Sequence, residues 1–84
     1  MLVNYVVPPE DVMPRAVEMA KKITANAPLS LAALKETSTK GAAMGLEERV
    51  AYAQAKRDEI LKTEDAQEGV RAFAEKRAPV WQGR

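Results

Sequence analysis

Carboxylates are the groups that could do chemistry in this 84-residue chain, because it contains neither histidine nor cysteine. This composition excludes Ser-His-Asp triads, cysteine nucleophiles, disulfides, and imidazole or thiolate metal sites. Adjacent pairs of acids occur at Glu47-Glu48, Asp58-Glu59 and Glu64-Asp65, among others. Neighbouring residues on a helix point about 100° apart and do not face each other. We therefore predict surface acids that favour helix N-termini, and neither a catalytic residue nor a metal site here.

Phe73 and Lys76 form the more informative pair. On a helix they would lie three positions apart and share one face. An aromatic ring beside an ammonium group could flank a flat anionic ligand, with the ring against its apolar part and the lysine on a phosphate. The alternative is a core phenylalanine followed by a lysine that the helix macrodipole favours.

Two further side chains stand out by their position. Trp81, the single tryptophan, lies in an irregular C-terminal stretch. We interpret it as a cap over the helices, with docking onto another surface as the alternative. Arg57 interrupts the apolar positions of a predicted helix. We interpret it as a side chain that extends its charged head into solvent, with a ligand contact as the alternative.

One strand and four helices would have to position these residues, which predicts a mainly α fold. Residues 2–7 are rich in β-branched and aromatic types and end at two prolines, which is typical of a short strand. No later segment predicts a strand to pair with it. Apolar periodicity, prolines and caps predict four helices, at about 10–26, 28–41, 46–62 and 63–77.

The apolar faces of these helices are narrow, and fifteen of the 84 residues are alanines. The face of the last helix should consist of Ala66, Val70, Phe73 and Arg77. Alanine lets helices approach closely but contributes little buried area. A chain of this size forms one small domain at most, and we expect its apolar faces to continue onto polypeptide outside it.

Charge and hydropathy exclude several classes of partner. Thirteen basic residues balance twelve acidic ones, and neither half of the chain is basic, which disfavours nucleic acid. The longest apolar run is too short to span a membrane, and no signal-peptide pattern begins the sequence. We expect a cytoplasmic protein that binds neither nucleic acid nor membrane.

Several motifs in order along the chain resemble the enoyl-CoA hydratase/isomerase (crotonase) superfamily. Residues 2–10 resemble its GLVN-x-VVP junction, and residues 26–35 fit its N-x-P pattern followed by lysine. Residues 63–69, TEDAQEG, resemble its TEDAREG signature. Residues 72–84, AFAEKRAPVWQGR, resemble its AF-x-EKR-x-P-x-[FW]-x-G terminus. The resemblance covers the whole chain.

The resemblance implies that residues 1–84 are the C-terminal helical module of a larger enzyme, with an enoyl-CoA hydratase as the first expectation. The family's oxyanion hole and catalytic acids lie in its N-terminal part, so we expect the isolated chain to be inactive. Phe73 and Lys76 would contact coenzyme A, which is part of the substrate; no tightly bound cofactor is expected. The helices would pack subunits into a homotrimer or a dimer of trimers.

Two alternatives stay open beside the hydratase. Arg57 stands where many hydratases of the family have an aromatic residue, so an isomerase, dehydratase or hydrolase branch is an alternative. From a different class, the chain could be a free-standing α-helical module that binds a partner helix or groove. Self-sufficient burial of its own apolar faces would distinguish this alternative.

Overall fold

The computed structural model describes residues 2–84 and contains four α-helices with short connections. A 3₁₀ turn at Pro9–Asp11 leads directly into α1. The α-helices are α1 (Val12–Thr24), α2 (Pro28–Gly41), α3 (Leu46–Leu61) and α4 (Glu64–Ala74). Residues 78–84, called the C-terminal tail below, have no regular secondary structure. The predicted number and order of helices are confirmed.

The predicted N-terminal strand is wrong, since residues 2–7 pair with no other segment of the described chain. The composition of this segment suits a strand, but a strand forms only where a neighbour takes up its backbone hydrogen bonds. The segment instead lies along α1, where the Arg15 guanidinium sits 4.2 Å from the centre of the Tyr5 ring.

Local signals set the helix boundaries. Pro14 is the third residue of α1, within the first turn, where a missing N–H breaks no hydrogen bond. Pro28 is the first residue of α2. The Thr63 hydroxyl caps α4 by accepting a hydrogen bond from the Ala66 N–H at 3.1 Å. Helix α2 ends on the buried Gly41, whose carbonyl accepts a 2.8 Å hydrogen bond from Arg49 Nε.

Helices α2 and α3 form an antiparallel pair that a polar network joins at Glu36. The Tyr52 hydroxyl donates to Glu36 at 2.7 Å, and Lys56 Nζ lies 3.3 Å from the same carboxylate. Lys40 on α2 completes the set at 2.8 Å. Hydrogen bonds from Lys40 and then Tyr52 lower the pKa of Glu36 to about 2. Ion pairs and hydrogen bonds to Glu36 thus hold α2 and α3 together.

The chain does not close an apolar core within residues 2–84. Its accessible surface is 6952 Å², whereas a compact monomer of 9.2 kDa would have roughly 4,900 Å². Its radius of gyration is 16.2 Å against about 12 Å for a compact domain of this length. Ala72 is the single buried apolar side chain among these residues, while Leu2, Val6 and Phe73 are at least 87% exposed.

No helix in the described range 2–84 is both long and apolar enough to cross a membrane. The overall dimensions of the chain are 43 × 39 × 18 Å, so the four helices form a plate about two helices thick. Large apolar side chains on such a plate are typical of a surface that another polypeptide covers.

We expect the purified 84-residue chain to unfold in a broad transition that shifts with protein concentration. Its exposed apolar faces can be buried only by association, which couples stability to mass action. Thermal unfolding followed by circular dichroism over a wide range of concentrations measures this. A sharp transition at the same temperature at every concentration would contradict the prediction and favour a free-standing module.

Candidate functional site

Phe73 and Lys76 lie at the C-terminal end of α4, but not on one helix face as predicted. Helix α4 ends at Ala74, so Lys76 lies beyond it, and the prediction of a helix reaching residue 77 is wrong. Phe73 is 87% exposed, so it belongs to no core that residues 2–84 form by themselves. Both side chains are therefore open to solvent.

Lys76 has a left-handed backbone, with φ of 54°. Its N–H donates to the Phe73 carbonyl at 3.2 Å, and the Arg77 N–H donates to the Ala72 carbonyl at 3.0 Å. This pair of hydrogen bonds is the Schellman helix ending, in which glycine is the usual left-handed residue. A side chain there costs about 1 kcal/mol. The ammonium group of Lys76 has no partner among residues 2–84.

The residue after Lys76 is tied to the body of α4. Arg77 Nη1 and Nη2 lie 2.6 and 3.1 Å from the two carboxylate oxygens of Glu68, a bidentate ion pair. The Val80 N–H donates to the same carboxylate at 3.0 Å. Hydrogen bonds from Arg77 and then Val80 lower the pKa of Glu68 to about 2. Glu68 in turn raises the pKa of Arg77.

Asp65 holds the end of the C-terminal tail. Its side chain is buried, and its two carboxylate oxygens accept hydrogen bonds from the Gln82 N–H at 2.7 Å and the Gly83 N–H at 2.8 Å. The Asp65 N–H donates to the Arg84 carbonyl at 2.8 Å. The interpretation of Asp65 as a surface acid is wrong, because the tail covers it. The one sequence feature that sets the Glu64-Asp65 pair apart from the other paired acids is its place in the TEDAQEG signature.

Trp81 anchors the middle of the tail, which confirms its interpretation as a cap over the helices. Its indole ring lies over Gly69, where an added Cβ would be 3.4 Å from the ring. Its Nε1–H donates to the Ala25 carbonyl at 2.9 Å, just after the end of α1. The tail therefore joins α4 to α1.

The tail also decides which face of α4 is covered. The predicted packing face is wrong, since Val70 is 73% and Phe73 87% exposed. The covered face instead carries Asp65, Gly69 and Ala72, at the same helical spacing. Small and acidic side chains suit this face because what lies against it is backbone and an indole ring.

Arg57 lies on the rim of a shallow groove between α2 and α3. The groove has a volume of about 260 Å³, and its apolar lining includes Leu34, Ala53 and Ile60. Arg57 itself is exposed. This placement agrees with an aliphatic stem on apolar surface and a charged head in water.

A family model described as enoyl-CoA hydratase/isomerase matches residues 2–84. The chain therefore belongs to the enoyl-CoA hydratase/isomerase family, the class that its motifs resemble. It is 44% identical to the carnitinyl-CoA dehydratase of Salmonella typhi, over 99% of this chain and 33% of that protein.

Solved structures of the family have the same helical arrangement. A probable enoyl-CoA hydratase/isomerase from Mycobacterium abscessus is 45% identical, with a TM-score of 0.86 over 98% of this chain and 32% of that one. An enoyl-CoA hydratase from Bacillus anthracis is 32% identical, with a TM-score of 0.92 over 99% and 32%. The chain thus spans about a third of the length of these relatives.

Replacing Gly69 tests the seat of the tryptophan. We expect Gly69→Leu to displace the indole and shift the tryptophan emission to the red, because a Cβ at this position would already be in van der Waals contact with the ring and a longer side chain would collide with it. Gly69→Ala is the matched control. Its Cβ fits at contact distance and adds about 1 kcal/mol of helix propensity, so emission should stay unchanged. The single tryptophan makes the signal unambiguous. Equal emission from all three chains would contradict the assigned contact.

The Glu68–Arg77 pair should weaken in acid. The folded-state pKa of Glu68 is lowered from 4.5 to about 2. The contribution of the ion pair to the free energy of unfolding is therefore complete above pH 4.5 and declines as the pH falls towards 2. Titration of the Glu68 side-chain carbon and the Val80 amide by NMR measures this, with both signals expected to move together near pH 2. A Glu68 midpoint near 4.5 would contradict the ion pair.

Proposed function

We propose that this chain is the C-terminal helical module of a longer enzyme that acts on coenzyme A thioesters, first of all an enoyl-CoA hydratase. Family membership and the names of the relatives support an acyl-CoA substrate. The unclosed apolar core supports a module that needs further polypeptide. In the longer protein, the remaining two thirds would supply the groups that hydrate the double bond of a 2-trans-enoyl-CoA.

The part assigned to this chain is binding and packing. Phe73 and Lys76 would contact the coenzyme A portion of the substrate, with Lys76 Nζ on a nucleotide phosphate and the Phe73 ring on an apolar part of the ligand. The observation that carries this proposal is the strained, exposed Lys76 beside the exposed Phe73. Strain of this kind is common at ligand-binding positions, where the side chain is needed despite its cost.

The exposed helix faces would pack subunits against one another in a homotrimer or a dimer of trimers. Their extent supports this proposal, because the excess surface of about 2,000 Å² is of the size that stable protein interfaces bury. No tightly bound cofactor is proposed, and a cytoplasmic location remains a prediction.

A dehydratase is the second candidate for the reaction. The 44% identity to a carnitinyl-CoA dehydratase supports it. Arg57 stands where many hydratases of the family have an aromatic residue. It therefore agrees with a branch other than the hydratases, and it argues against a preference for long acyl chains. Both candidates leave the same role for Phe73 and Lys76, because coenzyme A is common to their substrates.

In the full-length enzyme, we expect Lys76→Ala to raise the KM for the coenzyme A ester about tenfold or more, the usual worth of a hydrogen bond to a charged group. The kcat should change little, since the lysine lies on the nucleotide end of the substrate and away from the reacting bond. A pantetheine ester without the nucleotide phosphates should be nearly unaffected.

Lys21→Ala, at an exposed lysine of α1, is the matched control for loss of one positive charge. It should leave both KM values unchanged. Equal losses with the coenzyme A ester and the pantetheine ester in Lys76→Ala would overturn the assignment of Lys76.

A further inference from the structure

We propose that Asp65 and Glu68 are positioning residues: through the C-terminal tail they hold the turn at residues 75–77 so that Lys76 and Phe73 point outward to bind coenzyme A. The inference rests on the proposed function of these two side chains. It adds a role for two acids that neither touch the ligand nor take part in the reaction.

Glu68 restrains the chain immediately after Lys76. One carboxylate holds both the Arg77 guanidinium, at 2.6 and 3.1 Å, and the Val80 N–H, at 3.0 Å. Arg77 also donates to its own neighbour, the Ala78 carbonyl, at 3.2 Å. The chain that leaves Lys76 is thus bound back onto α4, so it cannot extend the helix or swing away from it.

Asp65 restrains the far end of the tail. Two successive backbone N–H groups, from Gln82 and Gly83, converge on its carboxylate. Gly83 has a left-handed backbone at this bend, with φ of 75°. Successive N–H groups in such a bend form a concave site for an anion, which here is supplied by the protein itself.

The two restraints have the same consequence at the ligand-binding side chains. The tail lies against Asp65 and Gly69 on α4, and Phe73, one turn after Gly69, stays 87% exposed beyond it. Because Arg77 is held, Lys76 stays in the left-handed turn that a lysine would otherwise avoid. A glycine at position 76 would end the helix with less backbone strain. The chain instead has a lysine there, which places a cationic side chain at the turn.

The test measures coenzyme A binding to the full-length protein by calorimetry, for Glu68→Gln and Asp65→Asn. Each keeps the shape of the side chain but removes its charge. We expect the dissociation constant for coenzyme A to rise about tenfold in each, as when one charged contact is lost, with kcat nearly unchanged. Asp58→Asn, at an exposed acid of α3, is the matched control and should bind as the parent does.

The decisive comparison repeats both substitutions in a Lys76→Ala background. If the acids act by positioning Lys76, the second substitution should cause little further loss. Amide hydrogen exchange should also speed up at Lys76, Arg77 and Val80 in the Glu68→Gln protein. Full, additive losses in the Lys76→Ala background would overturn the positioning role while leaving the proposed function intact.

The two failures are distinguishable. If Lys76→Ala alone leaves coenzyme A binding unchanged, the proposed function of Lys76 fails and the positioning role fails with it.

If Glu68→Gln or Asp65→Asn does not fold, Gly83→Ala provides a milder variant, since it leaves both acids in place and strains only the tail. Faster exchange at Gln82 with parental coenzyme A binding in Gly83→Ala would overturn the role of the tail.

Discussion

The buried carboxylate of Asp65 is the constraint on which the order of the C-terminal third depends. A charge removed from water must find hydrogen-bond partners, because an unpaired buried carboxylate costs several kcal/mol. Here its partners are the N–H groups of Gln82 and Gly83, so Asp65 is buried only when the tail is in place. The tail is in place because the carboxylate attracts it. Trp81 and the Glu68–Arg77 pair lie within the segment that this contact closes.

The distribution of polar and apolar side chains in this chain is the reverse of that in an independent globular domain. Its covered contacts are mostly hydrogen bonds, ion pairs and alanines, whereas large apolar side chains such as Leu34, Leu46 and Val70 face outward. Polar networks of this kind fix the relative positions of helices but supply little hydrophobic free energy. The geometry of the plate is therefore specified inside the chain, while much of its stability has to come from polypeptide packed on its surface.

The two C-terminal signatures of the family can be understood as one structural unit. In TEDAQEG, Thr63 caps α4, Asp65 binds the tail, Glu68 binds Arg77, and Gly69 leaves room for Trp81. The second signature supplies Arg77 and Trp81 as the matching partners. This pairing holds the turn at residues 75–77, the proposed ligand-binding turn, at a fixed place on α4.

The sequence by itself determined what depends on neighbours a few residues away. Caps, prolines, periodicity and short motifs give the number of helices, the start of α2 at Pro28, the N-cap of α4 at Thr63, and the family. These signals act over one turn of helix, so they survive in any tertiary setting.

Only the tertiary structure decided which residues are buried and which are presented. The N-terminal segment has the composition of a strand but no pairing partner among residues 2–84. Asp65 is buried by residues 17 and 18 positions later, and Phe73 is 87% exposed although it lies one turn after the covered Gly69. Each outcome depends on contacts between segments distant in sequence, and local propensity contains no information about which distant segment will fill a given surface.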